Sequence, residues 1–421
     1  MHVTVATTRV NLATAVRLMQ VGTADLSIGL MRGQLKFLRE AGFNVSVVSS
    51  PGPRLYAAAE DEGVQAYAVP MVREISAFND LVSLWRLSCL MWRLQPAITN
   101  VGTPKAGLLG GLASFVSRVP CRVYTLRGLR CETATGWKRR CLVLAERIAC
   151  YCAHRVICVS DSLRQKAVDL RIAHPSKLVV LASGSSNGVD VDRFAPTPER
   201  LRQAGILRKQ LKIPTDAPVI GFVGRFTLDK GVCELVNAYS RLRQQWPDLH
   251  LLMIGDFEEG DPIPGYVRET IQKDPQIVHT GLVQDTAPYY HLMDVFALPT
   301  YREGFPNTVL EAQAAGKPVV TTHTTGAVDA VLDGMTGMLV QAGDANSLAF
   351  ALSSLFQHPD TAHRMGRAGQ ERVQREFRRD LVWKALEHEF VLLLQQKELP
   401  VPQLTDLGTS QSQSLPVDIV L

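Results

Sequence analysis

Two glutamates, Glu303 and Glu311, stand eight positions apart in "YREGFPNTVLEAQAAGKPVVTT", and two bases, Arg225 and Lys230, close "VIGFVGRFTLDKG". An arginine offers a planar fork of donors and a lysine a point charge, and together they can neutralise a diphosphate. A carboxylate is a poor neighbour for phosphate but a good acceptor for the O–H groups of a sugar. A basic loop beside an acidic one therefore suits a ligand that is anionic at one end and hydroxylated at the other. Taken singly, each residue has a plainer use, as a solvated base or as a helix-capping or ion-paired acid. The basic segment is neither GxGxxG nor GxxxxGK[ST], so neither of those phosphate grips is read.

These side chains need strands and helices to place them. Arg225 leaves a strand end, and Lys230 precedes a helix that opens at Gly231. Pro306 suits a first helical turn, Gly316 an exit, and Pro318 blocks continuation into "VVTT". The short helix Asn307 to Ala315 would turn its free N–H groups toward an anion. Glu311 would lean back over Asn307, with Glu303 in the loop outside.

Short apolar runs alternate with amphipathic stretches along the whole chain. "HVTVATT", "NVSVVSS", "AITNVG", "CRVYTL", "RVICVS" and "LVVLAS" are expected strands of a first half. "VIGFVGR", "HLLMIGD", "IVHTGLV", "VFALPT", "PVVTT" and "GMLVQ" belong to a second. Such alternation predicts parallel sheets with helical crossovers. A break near 188 to 218, with "NGVDVDRFAPTPER" and "IPTDAP", suits a hinge. The expected architecture is α/β, two Rossmann-like doubly wound domains facing each other across a cleft. The boundaries are 1–190, a linker at 191–217, 218–375, a helix at 376–397 packing back on the first domain, and a disordered tail at 398–421.

Bulk properties agree with a two-domain globular chain of 421 residues, 46% hydrophobic and 20% charged. The net charge of +5 favours anionic ligands without requiring nucleic acid. The eight cysteines show no CxxC pair and no Cys/His metal spacing, and suit small buried hydrophobes in a reducing compartment. No signal peptide is read, and no apolar run reaches the roughly 18 residues a membrane span needs. A cytoplasmic location is expected, with peripheral contact at the inner membrane face as an addition.

"GRFTLDKG", "EGFPNTVLEAQAAGKPVV" and "NGVDVDRF" resemble the signature blocks of retaining GT-B glycosyltransferases of glycosyltransferase family 4. The resemblance extends to about residue 395. It implies a GT-B fold and a nucleotide-sugar donor. Catalytic roles fall to Arg225 and Lys230 on the diphosphate and to Glu303 on the donor sugar hydroxyls. It further implies donor contacts by Gly224, Gly304, Phe305, Asn307 and Thr308, ribose recognition by Glu311, and a nucleobase frame at Thr280, Gly281, Leu282 and Val283.

"TPKAGLLGGLAS", "YTLRGLRCETATG" and "VICVSDSLRQ" are similar to members from capsular, O-antigen and exopolysaccharide pathways. Acceptors implied by that likeness are saccharides or polyprenyl-diphosphate-linked saccharides. Where many relatives have a histidine this chain has Arg127, which either steadies an anionic group or satisfies loop carbonyls. Lys105 is an acceptor-side candidate or part of a simple strand-to-helix turn. Asp190-Val-Asp192 matches a metal-binding Asp-x-Asp in letters, but the family pattern accounts for it as a structural block. No metal or other cofactor is expected.

"GWKRRCLVLAERIACYCAH" joins a tryptophan, a basic cluster and an apolar face, as in a helix on an anionic leaflet or in a helix with a solvated charged side. Trp85 and Trp92, seven apart, are expected in the core. An epimerase of similar plan and a silent sugar-nucleotide-binding scaffold are the competing functions.

Overall fold

The computed structural model describes residues 16–72 and 76–402. The expected strand "HVTVATT" and most of the expected tail lie outside the described residues.

Thirteen strands are found among the described residues: β1 (Val16–Val21), β2 (Phe43–Ser49), β3 (Gln65–Ala68), β4 (Ile98–Gly102), β5 (Cys121–Leu126), β6 (Arg155–Cys158), β7 (Leu178–Val180), β8 (Val219–Val223), β9 (His250–Ile254), β10 (Ile277–His279), β11 (Val295–Leu298), β12 (Val319–Thr322) and β13 (Gly337–Val340). They form two parallel sheets, ordered β3-β2-β1-β4-β5-β6-β7 and β10-β9-β8-β11-β12-β13. Each sheet starts at an inner strand, winds outward through the next two, then returns beside its starting strand and continues the other way. The reversal falls between β1 and β4 in the first sheet and between β8 and β11 in the second. Crevices at such reversals, outside the carboxyl ends of the strands, are where open parallel sheets bind ligands.

β8, β9 and β11 are buried along their whole length, which is why they read as unbroken apolar runs. β1 does not read that way. Its "VRLMQV" sends Arg17 out to the Leu94 carbonyl (2.8 Å), while Gln20 is 1% exposed.

The chain crosses between the sheets twice, and the crossings are tied together: the Val189 N–H donates to the Phe377 carbonyl at 2.8 Å. After the first crossing the chain forms helices Val191–Phe194 and Pro198–Gln210, pinned to the second domain by Arg193 and Arg200 on Asp285. After the second, helix Arg379–Gln396 packs on the first sheet. Its Phe390 meets Phe43 edge-on, Glu389 pairs with Arg155 at 2.6 Å, and Trp383 donates to Asn187 Oδ1 at 2.7 Å.

Trp85 and Trp92 are not core residues; they are 66% and 58% exposed. Helix Ala77–Leu94 turns Ser83, Leu87 and Met91 inward instead. That i, i+4 stripe leaves the tryptophans on the opposite side, in line with exposed Phe78 and Leu81.

Candidate functional site

The basic loop begins where β8 ends. The Gly224 N–H donates to the Ile254 carbonyl (2.9 Å), and Phe226, fully buried, is wedged among the rings of Phe222, Phe257 and His279. A short turn, Leu228–Lys230, follows, and Gly231 adopts φ 69°. A Cβ at Gly231 would stand 1.9 Å from the Pro299 carbonyl oxygen, so only glycine lets this loop close on the end of β11.

The acidic loop leaves β11 and is laced to the basic one. Asp229 accepts from Thr227 Oγ1 (2.7 Å) and Arg302 Nη2 (2.6 Å), while its carbonyl accepts from the Tyr301 N–H (2.8 Å). Burial alone would raise the Asp229 pKa, but the Thr227 hydroxyl and the charges of Arg302, Lys230 and Arg225 outweigh it and hold the carboxyl below its ordinary value. Lys230 Nζ contacts Glu303 Oε1, with both side chains mostly buried. Two of the residues expected to act together thus touch across the β8/β11 reversal. Arg225 is half exposed and pairs with Glu258 at 2.9 Å.

The remaining donor-side positions lie on other elements of the second domain. Helix Asn307–Ala314 begins after Pro306. Glu311 accepts from the Tyr290 hydroxyl at 2.8 Å; burial pushes its pKa above the ordinary value, and the Tyr290 hydrogen bond moderates the rise. The same hydroxyl reaches the Thr308 carbonyl at 3.4 Å. Thr280 and Gly281 follow β10, where the Gly255 N–H donates to the Gly281 carbonyl (3.1 Å). Leu282 is 76% exposed and Val283 packs on the core.

The first domain closes directly on the acidic loop. Gly304 accepts from Ser160 Oγ at 2.8 Å, and Asn307 Oδ1 accepts from Ser185 Oγ at 3.3 Å. A Cβ on Gly304 would lie 2.1 Å from the Arg127 carbonyl oxygen. Phe305 is buried against Phe377. Further ties cross the same seam: Thr325 Oγ1 to Glu132 Oε2 (2.6 Å), Arg302 Nε to Thr133 Oγ1 (3.1 Å), the Gly326 N–H to Ser162 Oγ (2.7 Å), and Ser162 to the Asp329 carboxylate. Asp229, Tyr290, Arg302 and Asp329 were not among the sequence-predicted site residues. Asp229 and Arg302 each adjoin a chosen residue and carry a polar side chain in a loop, a usable signal; Tyr290 and Asp329 lie in unremarkable segments.

Of the acceptor-side candidates, Arg127 follows β5 at the seam, whereas the Lys105 ammonium is engaged with Asp80 at 2.6 Å inside the first domain. Asp190 accepts from the Arg193 N–H and pairs with Arg379 (3.2 Å). Among the described residues no group of three or more His, Cys, Asp or Glu side chains is placed to hold a metal ion.

Residues 217–358 match the family model "Glycosyl transferases group 1", and residues 31–184 match "Glycosyl transferase 4-like domain". The chain is 38% identical over 376 residues, 89% of its length and 97% of the relative's, to the "Capsular polysaccharide biosynthesis glycosyltransferase CapM" of Staphylococcus aureus. This chain is a group 1 glycosyltransferase. It is also 27% identical, over 69% of its length and 75% of the relative's, to the Escherichia coli "UDP-Gal:alpha-D-GlcNAc-diphosphoundecaprenol alpha-1,3-galactosyltransferase". Among solved structures, the Anabaena HepE complex with UDP and glucose superposes with a TM-score of 0.73 at 18% identity, covering 89% of this chain and 99% of that one. A Rickettsia africae glycosyltransferase gives 0.72 at 22% identity, covering 90% and 99%. The glycosyltransferase therefore has the GT-B architecture, with the acidic and basic loops following β11 and β8 of the second domain. No helix among the described residues is long and apolar enough to cross a membrane.

Proposed function

We propose that this glycosyltransferase moves a hexosyl or N-acetylhexosaminyl group, with retention, from a UDP-linked donor to a saccharide or polyprenyl-diphosphate-linked saccharide in surface-polysaccharide assembly. The observation that carries this reading is the Lys230–Glu303 contact at the β8/β11 reversal, beside the N-terminus of helix Asn307–Ala314. The named capsular and lipid-linked relatives support the pathway and the acceptor class. The UDP-bound neighbour supports the donor nucleotide.

In this reading the donor diphosphate takes Lys230 from Glu303, which frees the carboxylate to accept from sugar hydroxyls. Glu311 receives the ribose hydroxyls. As the glycosidic bond breaks, negative charge grows on the diphosphate, where Lys230, Arg225 and the helix end stabilise it. No protein nucleophile is assigned, so the acceptor hydroxyl attacks from the face the diphosphate leaves and gives that phosphate its proton. The first domain seals the seam against water through Ser160, Glu132 and Ser162. Charge on the leaving group is met by side chains and backbone, so the reading uses no metal.

The test is calorimetric titration with UDP-sugars, with and without EDTA, followed by NMR of the product from crude membranes as acceptor source. Tight UDP-sugar binding and an α-linked product from an α-linked donor are expected. An inverted product would end the retaining mechanism, and an epimerised donor without transfer would end the transferase reading.

The partner surface is read from three adjacent helices of the first domain: Ala77–Leu94, Pro104–Val116 and Gly136–Cys152. Phe78, Leu81, Trp85, Trp92, Trp137 and Tyr151 are all more than half exposed. Arg86, Arg93, Arg118, Lys138, Arg139 and Arg140 are exposed on the same elements and their ends. Aromatic side chains rimmed by bases fit an anionic bilayer surface. Sedimentation with vesicles containing phosphatidylglycerol should retain the protein, and Trp85→Ser with Trp137→Ser should release it. Equal retention by the double variant would remove this assignment.

A further inference from the structure

The reversal between β1 and β4 holds an unmatched set of donors. Gln20 on β1 lies in register with Asn100 on β4, and Arg127 follows the neighbouring strand β5. Gln20 is 1% exposed and its Nε2 has no hydrogen-bond partner among the described residues; the same holds for Arg127 Nη1. The Asn100 amide is oriented by Thr125, whose Oγ1 donates to Asn100 Oδ1 at 2.8 Å, so its N–H donors are the group left to serve the crevice. Two small cavities adjoin here, both bordered by Asn100 and Arg127, and no aspartate or glutamate lines either one.

This arrangement presents donors and a positive charge without a carboxylate counterion. Burial lowers the Arg127 pKa to about 10, which still leaves the guanidinium charged at neutral pH. A buried cation without a partner is destabilising. A carboxylate or phosphate supplied by a ligand removes that cost and satisfies the stranded N–H groups. The backbone of Arg127 also abuts Gly304, so the crevice lies beside the donor loop rather than on a remote face.

We propose that the β1/β4 crevice, bounded by Gln20, Asn100 and Arg127, is an oxyanion site that takes a phosphate or carboxylate group carried by the acceptor. This rests on the glycosyl-transfer reading for what the ligand is, and not for its charge. A phosphate would come from a lipid-linked diphosphate, a carboxylate from a uronic-acid-type saccharide.

The experiment uses the full chain saturated with UDP, so that the second-domain phosphate site is filled. It is titrated by calorimetry with geranyl diphosphate, methyl glucuronide and methyl glucoside. The expected result is binding of one of the two anions, with methyl glucoside silent. Which anion binds identifies the source. Arg127→Gln should weaken that anion tenfold or more, in line with loss of a charge-assisted hydrogen bond. Gln20→Leu should weaken it to a smaller degree, and UDP affinity should stay unchanged in both.

In the ligand-free protein Arg127→Met should keep or raise Tm, because it deletes an unpaired buried charge. A Tm lowered by several degrees would show Arg127 to be a structural residue and overturn the proposal. Binding of neither anion, or equal anion affinity in Arg127→Gln, would overturn it as well. A wild-type protein that binds no UDP counts against the glycosyl-transfer reading instead, and the two anions can then be titrated into the UDP-free protein.

Discussion

The two sheets of this glycosyltransferase reverse direction at equivalent places but treat charge in opposite ways. At β8/β11 the cations of the loops are matched by carboxylates: Lys230 with Glu303, Arg302 with Asp229, Arg225 with Glu258. At β1/β4 the buried Arg127 and Gln20 donors face no acid. The first half also buries a carboxyl group that has a hydrogen-bond partner but no ion-pair partner among the described residues. Glu146 is buried and is held by the Tyr124 hydroxyl at 2.8 Å. A matched site is stable when empty and must exchange partners when ligand arrives. An unmatched site of the kind proposed for β1/β4 would take its partner from a ligand. The difference is between the two reversals and not between whole halves, since the first domain has its own ion pairs in Lys105–Asp80 and Arg155–Glu389.

The strongest way to break this comparison is Lys230→Ala. If Lys230 passes from Glu303 to the developing charge on the diphosphate, its loss should lower kcat/KM by about 2 to 4 kcal/mol in activation terms. UDP release from a UDP-sugar in the presence of acceptor membranes measures this. Unchanged kcat/KM would leave the Lys230–Glu303 pair a purely structural bridge.

Gly304→Ala tests the seam rather than the charge. A Cβ 2.1 Å from the Arg127 carbonyl oxygen cannot be accommodated without separating the two halves. The expected cost is about 1 to 3 kcal/mol of overpacking strain. Closure should be lost while UDP binding is kept, and small-angle scattering with UDP bound would show a larger radius of gyration than wild type. An unaltered radius with full activity would mean the seam is not held shut during turnover.

Glu146 sharpens the contrast through pH. Burial raises its pKa to about 7, against a lowering contribution from the Tyr124 hydrogen bond. The folded state therefore keeps a proton that the unfolded chain releases near its ordinary value. Stability from this group is complete below that ordinary value and falls as pH rises through about 7. Glu146→Gln keeps an acceptor for Tyr124 and cannot ionise. Relative to wild type it should gain on the order of 1 to 3 kcal/mol at pH 8 and little at pH 5. Thermal midpoints at the two pH values check this, and a difference independent of pH would show that Glu146 is not the group that titrates.

How much of this was readable in the chain differs between the halves for the same physical reason. Strands buried on both faces announce themselves by composition, so "VIGFVGR", "HLLMIGD" and "VFALPT" coincide with β8, β9 and β11. The matched loops follow those strands directly, so Lys230 and Glu303 were legible from types and spacing. β1 carries Arg17 and Gln20 within six residues and β3 is a short edge strand, so neither shows an apolar run. Gln20 could not be singled out, because its importance comes from register with Asn100 across a crossover. The tryptophans at 85 and 92 misled because a seven-residue spacing defines a helical stripe without saying which side the sheet covers. Seam partners such as Ser162 and Asp329 are separated by 167 positions and meet only when two domains are assembled.

The smallest expected effect tests whether the matched site holds its cations back. Arg225 is half exposed, and its bond to Glu258 Oε2 is 2.9 Å. An exposed pair of this kind is worth about 0 to 1 kcal/mol, because solvent screens the attraction and two long side chains lose freedom to form it. If that pair competes with the donor diphosphate, Glu258→Gln removes the competing charge while keeping a side chain of the same length. UDP should then bind about two- to fivefold more tightly, the same scale expressed as affinity. The gain should shrink at high ionic strength, where both the pair and the phosphate contact are screened. Calorimetry at two salt concentrations measures both. Weaker UDP binding in Glu258→Gln would show that Glu258 aims Arg225 at the phosphate rather than withholding it, and the second half would then resemble a site whose internal pairs are part of the grip.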